Sequence, residues 1–134
     1  MQYYVLAFIF NESKTKIGLI RKDRPIEQVG KLNGIGGKID DDETPEDAVQ
    51  REVKEETTLF LDRQSFQKFD YFGGDWGGVY CFKSFIKDED FNKMRSSPNE
   101  TEIFESHDIV NILTKIDKNE FVENTFNLIK KAYY

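Results

Sequence analysis

Glu52, Glu55 and Glu56 lie in one short run, Arg51-Glu52-Val53-Lys54-Glu55-Glu56. Positions three and four apart share a face of a helix, so in a helix these carboxylates project together. Like charges at that spacing repel by roughly a few tenths of a kcal/mol per pair. A hard divalent cation turns this cost into a site, because Mg²⁺ takes carboxylate oxygens and works alongside substrate phosphates. Taken alone, three glutamates on a helix describe a solvated acidic face just as well.

The wider spacing separates these readings. Gly37 is followed by five residues, Glu43, seven residues, and then Arg51-Glu52-Val53-x-Glu55-Glu56-x-Thr58-Leu59. This arrangement resembles the Nudix box, the signature of Mg²⁺-dependent hydrolases of nucleoside-diphosphate-linked compounds. In the family form a glycine stands where this chain has Thr58, and every other fixed position matches. The resemblance implies an α/β fold, a Nudix-type α/β/α sandwich with a mixed β-sheet and flanking helices, with residues 1–134 as a single domain. It also implies Mg²⁺ as cofactor, with Mn²⁺ as a substitute. The implied metal ligands are Glu52, Glu55, Glu56, the carbonyl of Gly36 and a later glutamate, for which Glu102 is the choice and Glu100 the reserve. Glu52 is also a candidate general base, since a carboxylate near a metal can take a proton from its water. The family varies the position of that base, sometimes placing it outside the box. Arg51 completes the catalytic group, positioning a carboxylate such as Glu43 through a bidentate pair rather than touching substrate.

The residues before the box bear on the substrate. Lys31-Leu32-Asn33-Gly34-Ile35-Gly36-Gly37-Lys38 is similar to the segment that precedes the box in the oxidised-purine nucleoside triphosphatases, a Trp-Asn-Gly-x-Gly-Gly-Lys pattern. Asn33 matches the asparagine that hydrogen-bonds the base there, Leu32 departs from the aromatic, and Lys38 would lie near the phosphates. In those enzymes an acidic pair before the last helix reads the base. Glu123-Asn124 falls near that position, and the amide of Asn124, with both a donor and an acceptor, would accept several bases. The expected reaction is cleavage of a pyrophosphate bond in an NTP or dNTP, giving the monophosphate and pyrophosphate. Two alternatives stay open. One is another diphosphate-linked substrate (ADP-ribose, a dinucleotide or capped RNA). The other is a non-catalytic nucleotide-binding module, although such modules usually lose box glutamates and this chain keeps them.

Two further stretches have a bland and a functional reading. Arg21-Lys22-Asp23-Arg24-Pro25 is either a solvated loop or one in which one or two of Arg21, Lys22 and Arg24 contact phosphates. Trp76, set in Gly73-Gly74-Asp75-Trp76-Gly77-Gly78, is either an exposed hairpin tip or a mobile aromatic that covers a base. His107-Asp108 has no serine or cysteine partner and reads as incidental.

Composition narrows the class. The net charge of −6 argues against a general nucleic-acid binder, which normally carries a basic surface, and favours a small nucleotide whose charge is met locally. The absence of a long apolar run or signal-peptide pattern points away from the membrane and towards the cytoplasm. A lone Cys81 cannot form an internal disulfide. Monomer and homodimer both remain open.

The elements that must position these residues follow from periodicity. Gln2 to Phe10 and Lys16 to Arg21 read as a hairpin around Asn11-Glu12-Ser13. Thr44 is the expected N-cap of the acidic helix, with Pro45 at its first position, Asp47 closing a capping box, and Ala48, Val49 and Val53 as the docking stripe. Threonine resists the left-handed conformation that glycine adopts at helix ends, so at Thr58 the helix is expected to end differently, and a little later. Phe66 to Phe72 and Val79 to Ile86 read as strands, Asp88 to Asn99 as irregular or a short helix, and Glu102 to Leu113 as a strand with its connection. Glu120 to Tyr134 reads as the last helix. Strands before and after a central helix give a layered α/β sandwich.

Overall fold

The computed structural model describes residues 1–114 and 117–134. Strand β1 (Gln2–Asn11) turns back into β2 (Lys16–Arg21), and the two pair antiparallel through Ile9↔Gly18 and Phe10↔Ile17. Nearer the start of β1 the partner changes. β3 (Leu32–Asn33) pairs with β2, and β4 (Ile35–Lys38) pairs with β1 from Ala7↔Ile35 to Tyr4↔Lys38. The glycine-rich segment therefore wedges between two diverging strands, which carries Gly36 and Gly37 into the middle of the sheet.

On its other side β1 runs parallel to β6 (Gly77–Ile86), which forms a hairpin with β5 (Gln67–Gly74) across the turn residues Asp75 and Trp76. β7 (Ile103–Asp108) lies antiparallel to the outer side of β2. Among the described residues this makes a mixed sheet of seven strands.

Side chains alternate across a strand, so β1 feeds two cores at once. Val5, Ala7 and Ile9 pack beneath α1 (Pro45–Thr57), against Ala48, Val49 and Val53. Phe8 and Phe10 face the opposite layer, with Ile112 of α3 (Ile109–Thr114) and Leu128 and Ile129 of α4 (Thr125–Tyr133). Because both faces are covered, the run Ala7–Phe10 is fully buried and apolar at every position. Cys81 is a buried free thiol in the second core. A short helix, α2 (Asp88–Phe91), adds Phe91 to the first. Among the described residues, no helix is long and apolar enough to cross a membrane.

Two helix ends differ from expectation. α1 starts as expected, with Thr44 and Asp47 in a reciprocal capping box and Pro45 in the first turn. It ends at Thr57, no later than a glycine would allow, because Thr58 itself adopts the left-handed conformation at φ 66° and its N–H bonds the Lys54 carbonyl. That reversal delivers Leu59 and Leu61 to the core, and their burial outweighs a left-handed penalty of roughly 1–2 kcal/mol. The last helix starts later than expected, at Thr125. Phe121 is instead an extended residue bridged in parallel to Leu32, and the Val122 N–H donates to the Leu32 carbonyl at 2.9 Å. Asn124 then reverses the chain at φ 70°.

Candidate active site

α1 lies across β4 and sets its glutamates against the glycines. The Gly36 N–H donates to Glu56 Oε2 at 3.0 Å. A Cβ on Gly37 would stand 2.5 Å from Glu52 Oε1, so the bare backbone there makes the cradle in which the Glu52 carboxylate rests. At Gly36 a Cβ would stand 2.0 Å from the Val5 carbonyl oxygen, which excludes any side chain.

Burial dominates the electrostatics of this face. Glu56 is only 7% exposed, and desolvation pushes its carboxyl up to about 9. Repulsion from Glu52, Glu102 and Glu100 adds to this, and the Lys22 ammonium works against it. Burial likewise raises Glu52, opposed by its hydrogen bond to Arg51 and reinforced by Glu55 and Glu100. A buried carboxylate among others needs either a proton or a cation.

Arg51 organises the outer side of the cluster. Its Nε and Nη2 form a bidentate pair with Glu43 at 2.7 and 2.8 Å. The remaining donors reach Glu52 (2.8 Å), Glu55 (3.2 Å) and the Lys38 carbonyl (3.0 Å). The pairing holds Glu43 below the usual carboxylate range and raises Arg51 further. Arg51 thus takes one oxygen each from Glu52 and Glu55, and among the described residues no three acidic, histidine or cysteine side chains already surround one point. The donor set nevertheless suits a hard divalent ion: it is all oxygen, anionic and partly desolvated, and Glu52 sits in a cradle cut for it by Gly37.

The later glutamates, Glu102 and Glu100, sit in different surroundings. Glu102 is 8% exposed and both its oxygens are engaged, Oε1 by Lys22 Nζ at 3.1 Å and Oε2 by the Asp23 N–H at 3.0 Å. Glu100, the reserve, adds to the charge repulsion at both Glu52 and Glu56, and Glu102 adds to it at Glu56.

Beside Gly36 and Gly37 opens a cavity of about 540 Å³, whose wall includes Lys22, Asn33, Trp76, Glu123 and Asn124. That volume suits a ligand of nucleotide size. Trp76 sits at the β5–β6 turn, half exposed, its ring 6.4 Å from that of Tyr4, so it is both a hairpin tip and part of this wall.

Of the candidate phosphate contacts, Lys22 lines the cavity, and Arg21, Arg24 and Lys38 do not. Arg21 is bound bidentately by Glu105 of β7 at 2.7 and 2.8 Å, because β2 and β7 pair Leu19 with Glu105 and bring the two side chains together. Arg24 stands beside Asp23, whose carboxyl it helps hold low, and does not line the cavity. Lys38 is paired with Tyr4 at the end of β4 and borders a separate cleft of about 280 Å³. The cavity also takes residues that sequence reasoning passed over: Phe72, Val79, Thr125 and Leu128 line it. Thr125 and Leu128 were legible only as parts of a helix stripe, and nothing in their spacing marks them as facing a ligand.

Comparison with known proteins agrees with this fold. The family model for the NUDIX domain matches residues 2–125. A MutT structure from work on Aliivibrio salmonicida and Vibrio cholerae superposes with a TM-score of 0.73 at 20% identity, covering 98% of this chain and 96% of that one. A hydrolase of the NUDIX family from Clostridium perfringens gives 0.74 at 18% identity, covering 98% and 95%. The NUDIX domain of Shewanella oneidensis NrtR, complexed with ADP ribose, gives 0.77 at 16% identity, covering 97% and 84%. No curated protein matches the chain. Those identities establish a shared fold, while the match of the domain model along nearly the whole sequence establishes kinship: this chain belongs to the Nudix family of hydrolases.

Proposed function

We propose that this chain is a Mg²⁺-dependent nucleoside triphosphate pyrophosphohydrolase, releasing a nucleoside monophosphate and pyrophosphate. The observation that carries this reading is the junction at Gly36-Gly37, where a cavity of nucleotide size meets the faces of Glu52 and Glu56. A base and sugar held among Asn33, Asn124 and Trp76 leave the phosphates to run past the two glycines towards the carboxylates.

Glu52, Glu55, Glu56 and the carbonyl of Gly36 would hold the ion, with Glu100 as the later carboxylate. When bound, the ion supplies charge neutralisation on the phosphates and acidifies a coordinated water. The chain's own residues do the rest. Lys22, on the cavity wall and close enough to oppose the repulsion at Glu56, meets a phosphate oxygen. Arg51, fixed by Glu43, keeps Glu52 and Glu55 from splaying. Glu52, whose carboxyl burial has already raised, accepts the proton as water adds to phosphorus and the anhydride P–O bond breaks. The small cavity and the acidic chain fit a free nucleotide better than a nucleic acid strand.

A second reading, hydrolysis of a diphosphate-linked nucleoside, draws on the ADP-ribose complex of the Shewanella domain. The deciding experiment incubates the protein with Mg²⁺ or Mn²⁺ and a panel of NTPs, dNTPs, ADP-ribose, dinucleotides and capped RNA, and resolves the products by chromatography. Monophosphate plus pyrophosphate from a triphosphate supports the first reading. Cleavage confined to diphosphate-linked substrates replaces it with the second. Tight binding without turnover makes the chain a binding module.

A further inference from the structure

Leu59 and Leu61 both pack into the core beneath α1, so Phe60 between them points outward. It stands 58% exposed. The Lys54 ammonium lies 6.0 Å from the centre of its ring, and the two border a cleft of about 540 Å³ on the outward side of α1. On the same wall Asp47 is met by Arg63 and Glu55 by Arg51, which leaves the Lys54 charge to a ligand. Glu55 and Arg51 also belong to the carboxylate cluster, so the cleft and the cluster share an edge. Ser97 reaches the cleft from a second element: the Glu100 N–H bonds the Ser97 carbonyl at 3.1 Å, and the Glu100 charge is felt at Glu52 and Glu56. Two cavities of nucleotide size therefore adjoin one group of carboxylates, the first at Gly36 and Gly37 and the second at Glu55.

We infer that the cleft between Lys54 and Phe60 is a second subsite, which takes the nucleoside at the far end of a dinucleoside polyphosphate. The first cavity holds one nucleoside and the phosphate chain crosses the carboxylates. The second base then stacks on the Phe60 ring, while Lys54 meets the chain as it leaves the cluster. Every base has a π-face, so a phenylalanine reads the presence of a base rather than its identity. The chemistry is the step proposed for free triphosphates. Water adds to the phosphorus attached to the first nucleoside, its proton passes to Glu52, and the electron pair of the breaking P–O bond stays on the leaving phosphate. The products are a nucleoside monophosphate and the second nucleoside carrying all the remaining phosphates. A free triphosphate releases pyrophosphate by the same step and leaves the cleft unfilled. The inference rests on the proposed pyrophosphohydrolase reading, and its test separates the two.

Calorimetry with methylene-bridged, uncleavable analogues in Mg²⁺ measures the second base directly. Dinucleoside tri-, tetra- and pentaphosphates are each compared with the mononucleotide of the same phosphate count. At one chain length or more the second nucleoside should tighten binding at least about tenfold. Phe60→Ala should bring that ratio near one, and Phe60→Trp, which keeps an aromatic face, should restore it. Rates on the cleavable compounds should show the same selectivity: Phe60→Ala lowers kcat/KM for the dinucleoside about tenfold relative to the free triphosphate, through KM. A ratio near one at every length in the native protein, or an advantage that survives Phe60→Ala, overturns the subsite. If the analogues keep their ratio but neither triphosphate nor dinucleoside is hydrolysed, the proposed reaction fails and the subsite stands. Turnover of triphosphates with no advantage for any dinucleoside leaves the reaction and removes the subsite, and binding of neither kind of analogue removes both.

Discussion

Lys22 and Glu102 form an ion pair of 3.1 Å with side chains only 20% and 8% exposed. The same ammonium opposes the charge repulsion at Glu56, so Lys22 stands between the nucleotide cavity and the carboxylate cluster. Glu102, whose other oxygen takes the Asp23 N–H, acts as the anchor of that lysine. Glu102→Gln should then raise KM with little change in Mn²⁺ affinity, whereas Glu100→Gln should weaken the metal. In a double-mutant cycle Lys22→Met should add little to Glu102→Gln, because the two remove one arrangement. Manganese titrations of both glutamine variants check this, and loss of metal affinity in Glu102→Gln alone would make Glu102 the ligand instead.

The Glu56 carboxyl, raised to about 9, links stability to pH in the metal-free protein. An acid whose folded pKa lies above its unfolded value binds more protons when folded, so stability is present at low pH and falls as pH climbs from the unfolded value towards about 9. The slope is at most about 1.4 kcal/mol per pH unit. Urea unfolding in chelator between pH 6 and 9 should show this decline. Glu56→Gln should flatten it, and Mg²⁺ should rescue the native protein but not the variant. Turnover in Glu56→Gln and Glu55→Gln should drop by orders of magnitude with the fold intact.

The two box glycines predict opposite failures. At Gly36 an added Cβ meets the Val5 backbone oxygen at 2.0 Å, and backbone cannot give way cheaply. Gly36→Ala should lose about 3 kcal/mol and express poorly. At Gly37 the nearest atoms to the Cβ belong to the end of the Glu52 side chain, which can swing aside. Gly37→Ala should keep its melting temperature within a few degrees while kcat falls by about a hundredfold, as expected of a misplaced catalytic group. Thermal melts paired with initial rates distinguish the two, and equal losses of stability would refute the cradle.

The box announced itself because its chemistry is local: one helix turn carries Glu52, Glu55 and Glu56, and Thr44, Pro45 and Asp47 mark where that helix starts. Strand periods likewise revealed β1, β2 and the β5–β6 hairpin. What escaped depends on contacts distant in sequence. Arg21 looks like a phosphate ligand until Glu105, 84 residues later, is paired across β2 and β7. That Lys22 and Asp23 close on the two oxygens of Glu102 is likewise visible only in the fold. Phe121 fits a helical stripe, yet the free edge at Leu32 draws it into a strand bridge. Thr58 shows that propensity yields to packing, since the core needs Leu59 more than the turn needs glycine.

Trp76 offers the most direct readout of the cavity, being the one tryptophan in the chain. It is half exposed at a two-residue turn, with its ring tilted against Tyr4 and one side forming cavity wall. A base entering beside it must change the solvent shell of the indole, so nucleotide binding should shift or quench the intrinsic fluorescence in a saturable way. Contact of this kind is made equally in the ground and transition states. Trp76→Ala should therefore raise KM by about tenfold, the weight of a stacked aromatic, and leave kcat nearly unchanged. Trp76→Phe, which keeps a ring at the position, should recover most of the loss. A fall in kcat with KM unaltered would mean that the turn acts on the chemistry, and a silent fluorescence titration at saturating nucleotide would move the base to another wall.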